Sequence, residues 1–361
     1  MQPALSMNLR GPLRGKPGAF SVSGRGALDR EPLGTYRTAR AILGELMQAR
    51  HLASAEPACA GASCPACQAP HRAKLVAAIR RQEPLVFVLP AFPGKSPNPA
   101  KVLGPLPDLG ERLALQSLHD LAERIGRFHA PGARIVLCSD GRVFSDVVGM
   151  HEGDVSAYQR ELESEIAAMG LDTLSVFSLD DLADAGDFSR ARDQLMERHG
   201  LSLEVLRERV RRGGAGSRDL DDREAHRLYC GITRFMFEDS LHPGQTRSRT
   251  ALQKEARVRA YEVIRRSQAW GDLLAETFPE AIRLSIHPQA CGATKLGVRL
   301  LPGELWMTPW HGVAVRSRHG IVLMKRAEAE RLGALCVTDA RGRADHFVLP
   351  HPVGFQGGAS R

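Results

Sequence analysis

Four short stretches of this sequence carry residues able to bind anions or move protons, and a fifth carries residues able to hold a metal. The first is Lys95-Ser96-Pro97-Asn98, followed closely by Lys101. Two ammonium groups beside a hydroxyl and an amide suit an anion, and a lysine amine can also form an imine. Gly94-Lys95-Ser96 has the last letters of a phosphate-binding P-loop, but the motif's first glycine would be residue 89, which is Leu89. Pro97 and Pro99 argue against the helix that a P-loop must open. The match is accidental, and what remains is a chemically loaded loop, a kind that seldom lacks function.

The second stretch is CSDGRVFSDVVG, Cys138 to Gly149. Ser139, Asp140 and Arg142 gather at a strand's end, with Asp146 close behind. An Asp–Arg pair can hold a carboxylate or phosphate and position an acid or base. Equally, Asp140-Gly141 makes an ordinary turn and Arg142 an exposed charge. In the third stretch, IRLSIH, strand alternation puts Arg283, Ser285 and His287 on one face. That face suits a polar site, or it is the solvated side of an edge strand. The fourth is Trp310-His311: a general acid/base or a ring beside an aromatic substrate, set against a buried histidine that is merely hydrogen-bonded.

The fifth stretch holds Cys59, Cys64, Cys67 and His71. Three thiols and an imidazole in so short a span can form a tetrahedral structural zinc site. The spacing is not that of a two-knuckle finger, so spare thiols in a reducing compartment are the competing reading. The CxxC lacks the strand–helix setting of a thioredoxin-like motif. No H-x-D/E opens a non-haem iron triad and no GxGxxG appears, which disfavours an Fe(II) oxygenase and leaves a dinucleotide cofactor unsupported.

These residues need a scaffold, and the apolar pattern supplies one. Helical spacing runs over 36–52 and 71–82. Then come a strand over 85–89, a helix over 109–127, a strand over 134–138, a helix over 153–168 and a strand over 173–178. Such alternation predicts an α/β fold with a parallel sheet and crossover helices. Ligands bind beyond the carboxyl ends of such strands, so Pro90–Lys101 and Ser139–Asp146 should lie side by side at one rim. Residues 180–275 read as helices with a flexible break near 211–218. The last third returns to strands with short turns, predicting an antiparallel or mixed portion.

The chain has 361 residues, 43% of them hydrophobic and 25% charged, enough for one or two packed cores. Its formal net charge of +8 admits nucleic acid as a partner, but aromatics are only 5% and no recognised module appears. A zinc-stabilised basic nucleic-acid-binding protein is therefore the reading from another class; a small anionic substrate is the other use for the charge. The start is rich in Gly, Pro and Ser and acid-free over 1–28, so 1–34 reads as a disordered head, and 351–361 as a flexible tail. No apolar stretch reaches bilayer-spanning length and no signal peptide is visible, so the expectation is a cytoplasmic protein with no membrane partner. Seven cysteines do not make a disulfide scaffold at this length.

Taken together, FVLPAFPGKSPNPAKVLGPLPDLGE, CSDGRVFSDVVG, RLSIHP and MTPWHGVAV resemble the pyoverdine/dityrosine biosynthesis family, which includes the isonitrile synthases. The resemblance runs from about Cys64 to about Lys325. It implies a Rossmann-like parallel-sheet core with additional helices and a mixed β C-terminal portion. On that frame, 35–350 is one catalytic domain, with 72–180 the Rossmann-like half and 181–350 the helical plus β half. It also implies condensation of the α-amine of tyrosine or tryptophan with ribulose 5-phosphate, one sugar carbon becoming the isonitrile carbon, with no cofactor required. Lys95, Lys101 and Arg142 would then meet the sugar phosphate, with Ser96, Asn98, Ser139, Asp146, Ser285 and Trp310 also lining the substrate site. Arg283 would meet the amino-acid carboxylate. His287, His311 and Asp140 would move protons, with Lys95 as a further catalytic group. A fungal branch of the family implies an N-formyl product as the alternative. No nucleic acid is expected, and a separate Fe(II)/2-oxoglutarate oxygenase is the expected partner acting on the product.

Overall fold

Six nearly continuous apolar residues, Leu85–Pro90, form a strand covered on both faces, and the core is built outward from it. In the computed structural model of this chain the described residues are 33–53, 59–182, 187–214, 216–301 and 307–350. The first half runs α1 (Leu33–Gln48), α2 (Pro65–Arg81), β1 (Leu85–Pro90), α3 (Leu109–Gly126), β2 (Ala133–Ser139), α4 (Gly141–Val148), α5 (Glu152–Ala168) and β3 (Leu174–Ser178). Four helices follow: α6 (Phe188–His199), α7 (Leu203–Arg212), α8 (Leu220–Asp239) and α9 (Arg249–Thr277). The chain then forms β4 (Ile282–Ser285), β5 (Leu296–Gly297), a 3₁₀ turn at Pro309–His311, β6 (Val313–Ser317), β7 (Gly320–Met324), α10 (Arg326–Arg331), β8 (Leu335–Thr338) and β9 (Ala344–Val348).

The main sheet has the order β3-β2-β1-β4-β5, with every pairing parallel. Parallel neighbours need crossovers, and α3 and α5 supply them between β1, β2 and β3. The chain then makes its helical excursion and returns on the other side of β1 as β4. The order therefore reverses between β1 and β4, and a crevice outside the carboxyl ends of those strands is where ligands bind in such sheets.

Alternation splits the core into two layers. Phe87, Leu89, Ile135, Leu137, Ile282 and Leu284 pack with residues of α1, α2, α3 and α5, including Ile42, Leu75, Leu118 and Leu162. Val88 and Cys138 pack on the other side with Val143, Leu195, Trp270 and Leu274 of α4, α6 and α9. Helix α7 rests on α9 through Leu206, Val210 and Ile264, with Tyr229 and Ile232 of α8 packed against them. The second sheet, β7-β6-β9-β8, is mixed and carries its own core of Val313, Val315, Met324 and Phe347.

The structure amends several expectations. IRLSIH is neither an edge strand nor part of the mixed portion: β4 stops at Ser285 and lies inside the parallel sheet, between β1 and β5. His287 thus lies beyond the strand end. The main sheet joins the two halves of the chain, since β4 from the second pairs with β1 from the first. Residues from Gly141 onward are helix α4 rather than loop, and α2 begins at Pro65, so the cysteine segment runs into a helix. The head over 1–32 and the tail over 351–361 lie outside the described residues. No helix among the described residues is long and apolar enough to cross a membrane.

Candidate active site

The loop after β1 is wound tightly against its neighbours. Phe92 has φ of 58°, unusual for a bulky residue, and Gly94 has φ of 128°. The turn aims the Phe92 carbonyl at Ser139, whose hydroxyl donates to it at 2.9 Å. Gly141 sits so close to Pro93 that an added Cβ would overlap the Pro93 carbonyl oxygen and lie 2.9 Å from its carbon. The two post-strand segments expected at one rim are therefore side by side, in direct contact.

Lys95 turns inward. Its ammonium donates to Asp108 Oδ2 at 2.7 Å, Glu111 Oε2 at 2.7 Å and the Pro309 carbonyl at 3.0 Å. Its side chain is fully buried. Asp108 and Glu111 also form the capping box of α3, so one carboxylate pair both starts that helix and neutralises the lysine. Burial pushes Glu111 up to about 7, with Lys95 opposing. The Ser96 N–H donates to the Trp310 carbonyl at 2.8 Å. Lys95 and Ser96 together therefore hold the turn that ends in His311.

The same loop clamps the end of α8. Asp239 Oδ1 accepts from Ser96 Oγ at 2.9 Å and from Lys101 Nζ at 2.5 Å. Asn98 Nδ2 donates to the carbonyls of Asp239 at 2.9 Å and Leu241 at 3.2 Å. This places Phe235, one turn earlier on α8, with its ring centroid 4.9 Å from that of His311 and 5.0 Å from the Lys101 ammonium. Trp310 faces away, buried against Phe92 at 5.2 Å.

Opposite stands a wall of cations. The parallel register pairs Leu284 with Leu296, so Arg283 and Lys295 are lateral neighbours on the α9 side of the sheet. Arg283 donates to the Gly271 carbonyl of α9 at 2.8 Å, while its buried Nε has no partner among the described residues. Neither Arg283 nor Lys295 makes a salt bridge among the described residues. Burial and the neighbouring Arg283 depress Lys295, with Glu224 and Asp272 opposing more weakly. Two adjacent cations without a bonded carboxylate are suited to receive an anion.

The histidines lie beside this wall. Burial pushes His287 below its ordinary range, and Lys295 and His51 add to the effect, although the ring is open to solvent. A group both accessible and surrounded by protein lines a cleft. Ser285 Oγ accepts from the His287 and Gln289 amides and so shapes the turn after β4. Burial holds His311 down to about 4, with Asp239 opposing and Lys101, Lys95 and His287 adding to the depression. Its Nδ1 is buried without a partner among the described residues. Asp140 begins α4 with no side-chain cap bond, and burial pushes it up to about 7. Asp140 and Arg283 both act on the Cys138 thiol between them. Linked by their effects on one another, these groups comprise two imidazoles held below their ordinary range, a carboxyl raised to about 7 and two cations.

Other candidates are employed elsewhere. Arg142 is a buried hub: it bonds Asp180 at 3.0 Å, Glu152 at 2.6 Å and Ser156, and its guanidinium lies 3.7 Å from the Phe188 ring centroid. Asp146 is held by Arg266 at 2.5 and 3.0 Å on the outer side of α4. Ser139, Ser96 and Asn98 spend their polar groups on protein partners, because a rim packed this tightly leaves buried polar groups that must be satisfied. The metal set is corrected too: the group that joins Cys59, Cys64 and Cys67 is Cys291, and His71 is not part of it. Lys295, Asp239 and Cys291 went unread in the sequence, since each becomes informative only through a distant pairing.

The fold is α/β, with the candidate site beside the switch point of a parallel sheet. The chain belongs to the family described as Pyoverdine/dityrosine biosynthesis protein, whose model matches residues 75–336. It is 46% identical over 282 residues to the L-tyrosine isonitrile synthase of Pseudomonas aeruginosa, covering 77% of this chain and 83% of that protein. It is 38% identical over 314 residues to the L-tryptophan isonitrile synthase AmbI1 of Fischerella ambigua, covering 86% and 95%. The crystal structure of the PvcA protein from Pseudomonas aeruginosa superposes with a TM-score of 0.80 at 42% identity, covering 87% of this chain and 100% of that one.

Proposed function

We propose that this chain is an isonitrile synthase. It converts the α-amino group of an aromatic amino acid, tyrosine or tryptophan, to an isonitrile, with ribulose 5-phosphate as the carbon donor, through imine formation and C–C cleavage, the remaining sugar carbons and the phosphate leaving as fragments. The observation that carries the reading is the pairing of Arg283 with Lys295 across β4 and β5, with Lys295 acting in turn on His287 and His287 on His311. Both substrates carry an anionic group, one a carboxylate and one a phosphate ester, and the wall offers two cations free of salt bridges among the described residues. The edge of Phe235 beside His311 gives an aromatic side chain a surface to pack on.

A keto sugar and an amine condense directly, so the protein's tasks are positioning and proton transfer, and no organic cofactor is called for. Neutral His287 and His311 accept protons from the amine and the sugar carbons, while Asp140, near its midpoint at pH 7, returns one to a leaving oxygen. The relatives named for tyrosine and tryptophan support an aromatic amino acid. The test is incubation of the pure protein with ribulose 5-phosphate and each aromatic amino acid in turn. An isonitrile infrared band with the matching product mass is expected. An N-formyl product, or no product with any of them, overturns the reading.

A further inference from the structure

Away from the cleft, the Sγ atoms of Cys59, Cys64, Cys67 and Cys291 all lie within 4.8 Å of one another. Cys59 and Cys67 are separated by 3.8 Å, Cys64 and Cys291 by 3.6 Å, and Cys67 and Cys291 by 3.4 Å. A disulfide would bring a pair to about 2.05 Å, so none of these is bonded. A metal bound tetrahedrally at about 2.3 Å from each sulfur sets them about 3.8 Å apart. The observed separations are close to those edges, and a polynuclear iron–sulfur cluster would need the sulfurs farther apart.

Two further observations point to negative charge on these sulfurs. Cys64 is the N-cap of α2 and Cys67 lies in its first turn. Arg50, buried, donates to Cys59 Sγ at 3.4 Å and has no salt bridge among the described residues. A buried guanidinium needs a counter-charge, and a divalent metal held by four thiolates carries a net charge of −2.

We propose that Cys59, Cys64, Cys67 and Cys291 bind one structural zinc ion, the four thiols releasing their protons to solvent and forming a closed, soft site with no open position. The ion ties the segment between α1 and α2 to the loop after β4. Cys291 is four residues beyond His287 and four before Lys295. The zinc therefore positions the loop that carries half of the cleft while touching no substrate.

Metal analysis of the full chain, purified without chelator and without a metal-affinity tag, tests this. One equivalent of zinc per chain is expected, released by a mercurial in step with four thiols. Cobalt-loaded protein should show thiolate charge-transfer and tetrahedral d–d bands. Cys291→Ser should lose those bands and the zinc, while Cys230→Ser and Cys336→Ser, at exposed thiols outside the cluster, should keep both. If Cys291→Ser does not fold, the wild-type metal content and cobalt spectrum decide alone. Protein isolated with four titratable thiols and no metal, with iron in place of zinc, or with a disulfide among the four overturns the proposal. Each readout is independent of whether an isonitrile is made.

Discussion

Replacing Lys95 by alanine removes the only positive charge bonded to Asp108 and Glu111 among the described residues. The lysine's side chain is fully buried, Glu111's is too, and Asp108's is 3% exposed. The variant keeps two buried carboxylates and an unpaired Pro309 carbonyl. Breaking a buried ion pair from one side costs about 3–5 kcal/mol, and Lys95→Ala is expected within that range at pH 8. Part of the loss is recoverable by protonation. Glu111 already sits at about 7 with the ammonium beside it, and loss of that cation raises it further. The variant's deficit should therefore shrink as pH falls from 8 to 6. Glu111→Gln leaves Lys95 and Asp108 one to one and should cost only about 1 kcal/mol. Urea unfolding at both pH values measures these differences as midpoint shifts at constant slope. Turnover should fall as well, since Lys95 and Ser96 anchor the turn bearing His311. A Lys95→Ala protein within about 1 kcal/mol of wild type yet inactive would refute this reasoning and return Lys95 to the chemistry itself.

Three further outcomes are expected. His311→Gln should lower kcat by about 10²–10⁴-fold with little change in urea midpoint. Because burial holds His311 at about 4, the unfolded chain alone takes up its proton between pH 6.5 and 4. Wild type should lose up to roughly 3 kcal/mol relative to His311→Gln as pH falls through that window; parallel stability curves for the two proteins would contradict it. Arg283→Met and Lys295→Met should each raise KM for an anionic substrate roughly 10–100-fold, the loss of a charge-assisted hydrogen bond; unchanged KM for both sugar phosphate and amino acid would remove the cationic wall from the site. Gly141→Ala should destabilise the fold by more than about 2 kcal/mol, because the Pro93 backbone must move to admit the Cβ; wild-type thermal stability would show the rim to be looser than described.

Much of the first half was legible because its signals are local. Continuous apolar runs gave β1 and β2, and the alternation of strands with helical stretches gave α3. The place of β4 was not legible, since strand order depends on where the chain returns after a helical excursion of about a hundred residues. The loop residues Lys95, Ser96 and Asn98 were correctly singled out as unusual, but composition could not say that their groups point into protein rather than toward ligand. Arg142 was misread for the same reason: an Asp-Gly-Arg turn gives no sign that Glu152 and Asp180 will close around the guanidinium. Cys291 lies 227 residues from Cys64, so short-range spacing favoured His71 in its place. Lys295 gains meaning only from the β4/β5 register that sets it beside Arg283.

The central claim is that this cleft joins an aromatic amine to one carbon of a pentulose phosphate. The direct measurement is the product mass from ¹⁵N-labelled tyrosine or tryptophan incubated with uniformly ¹³C-labelled ribulose 5-phosphate. An isonitrile that keeps the ¹⁵N and gains one ¹³C is the predicted result. An isonitrile without ¹³C, an N-formyl product, or unchanged amino acid in every case would contradict it.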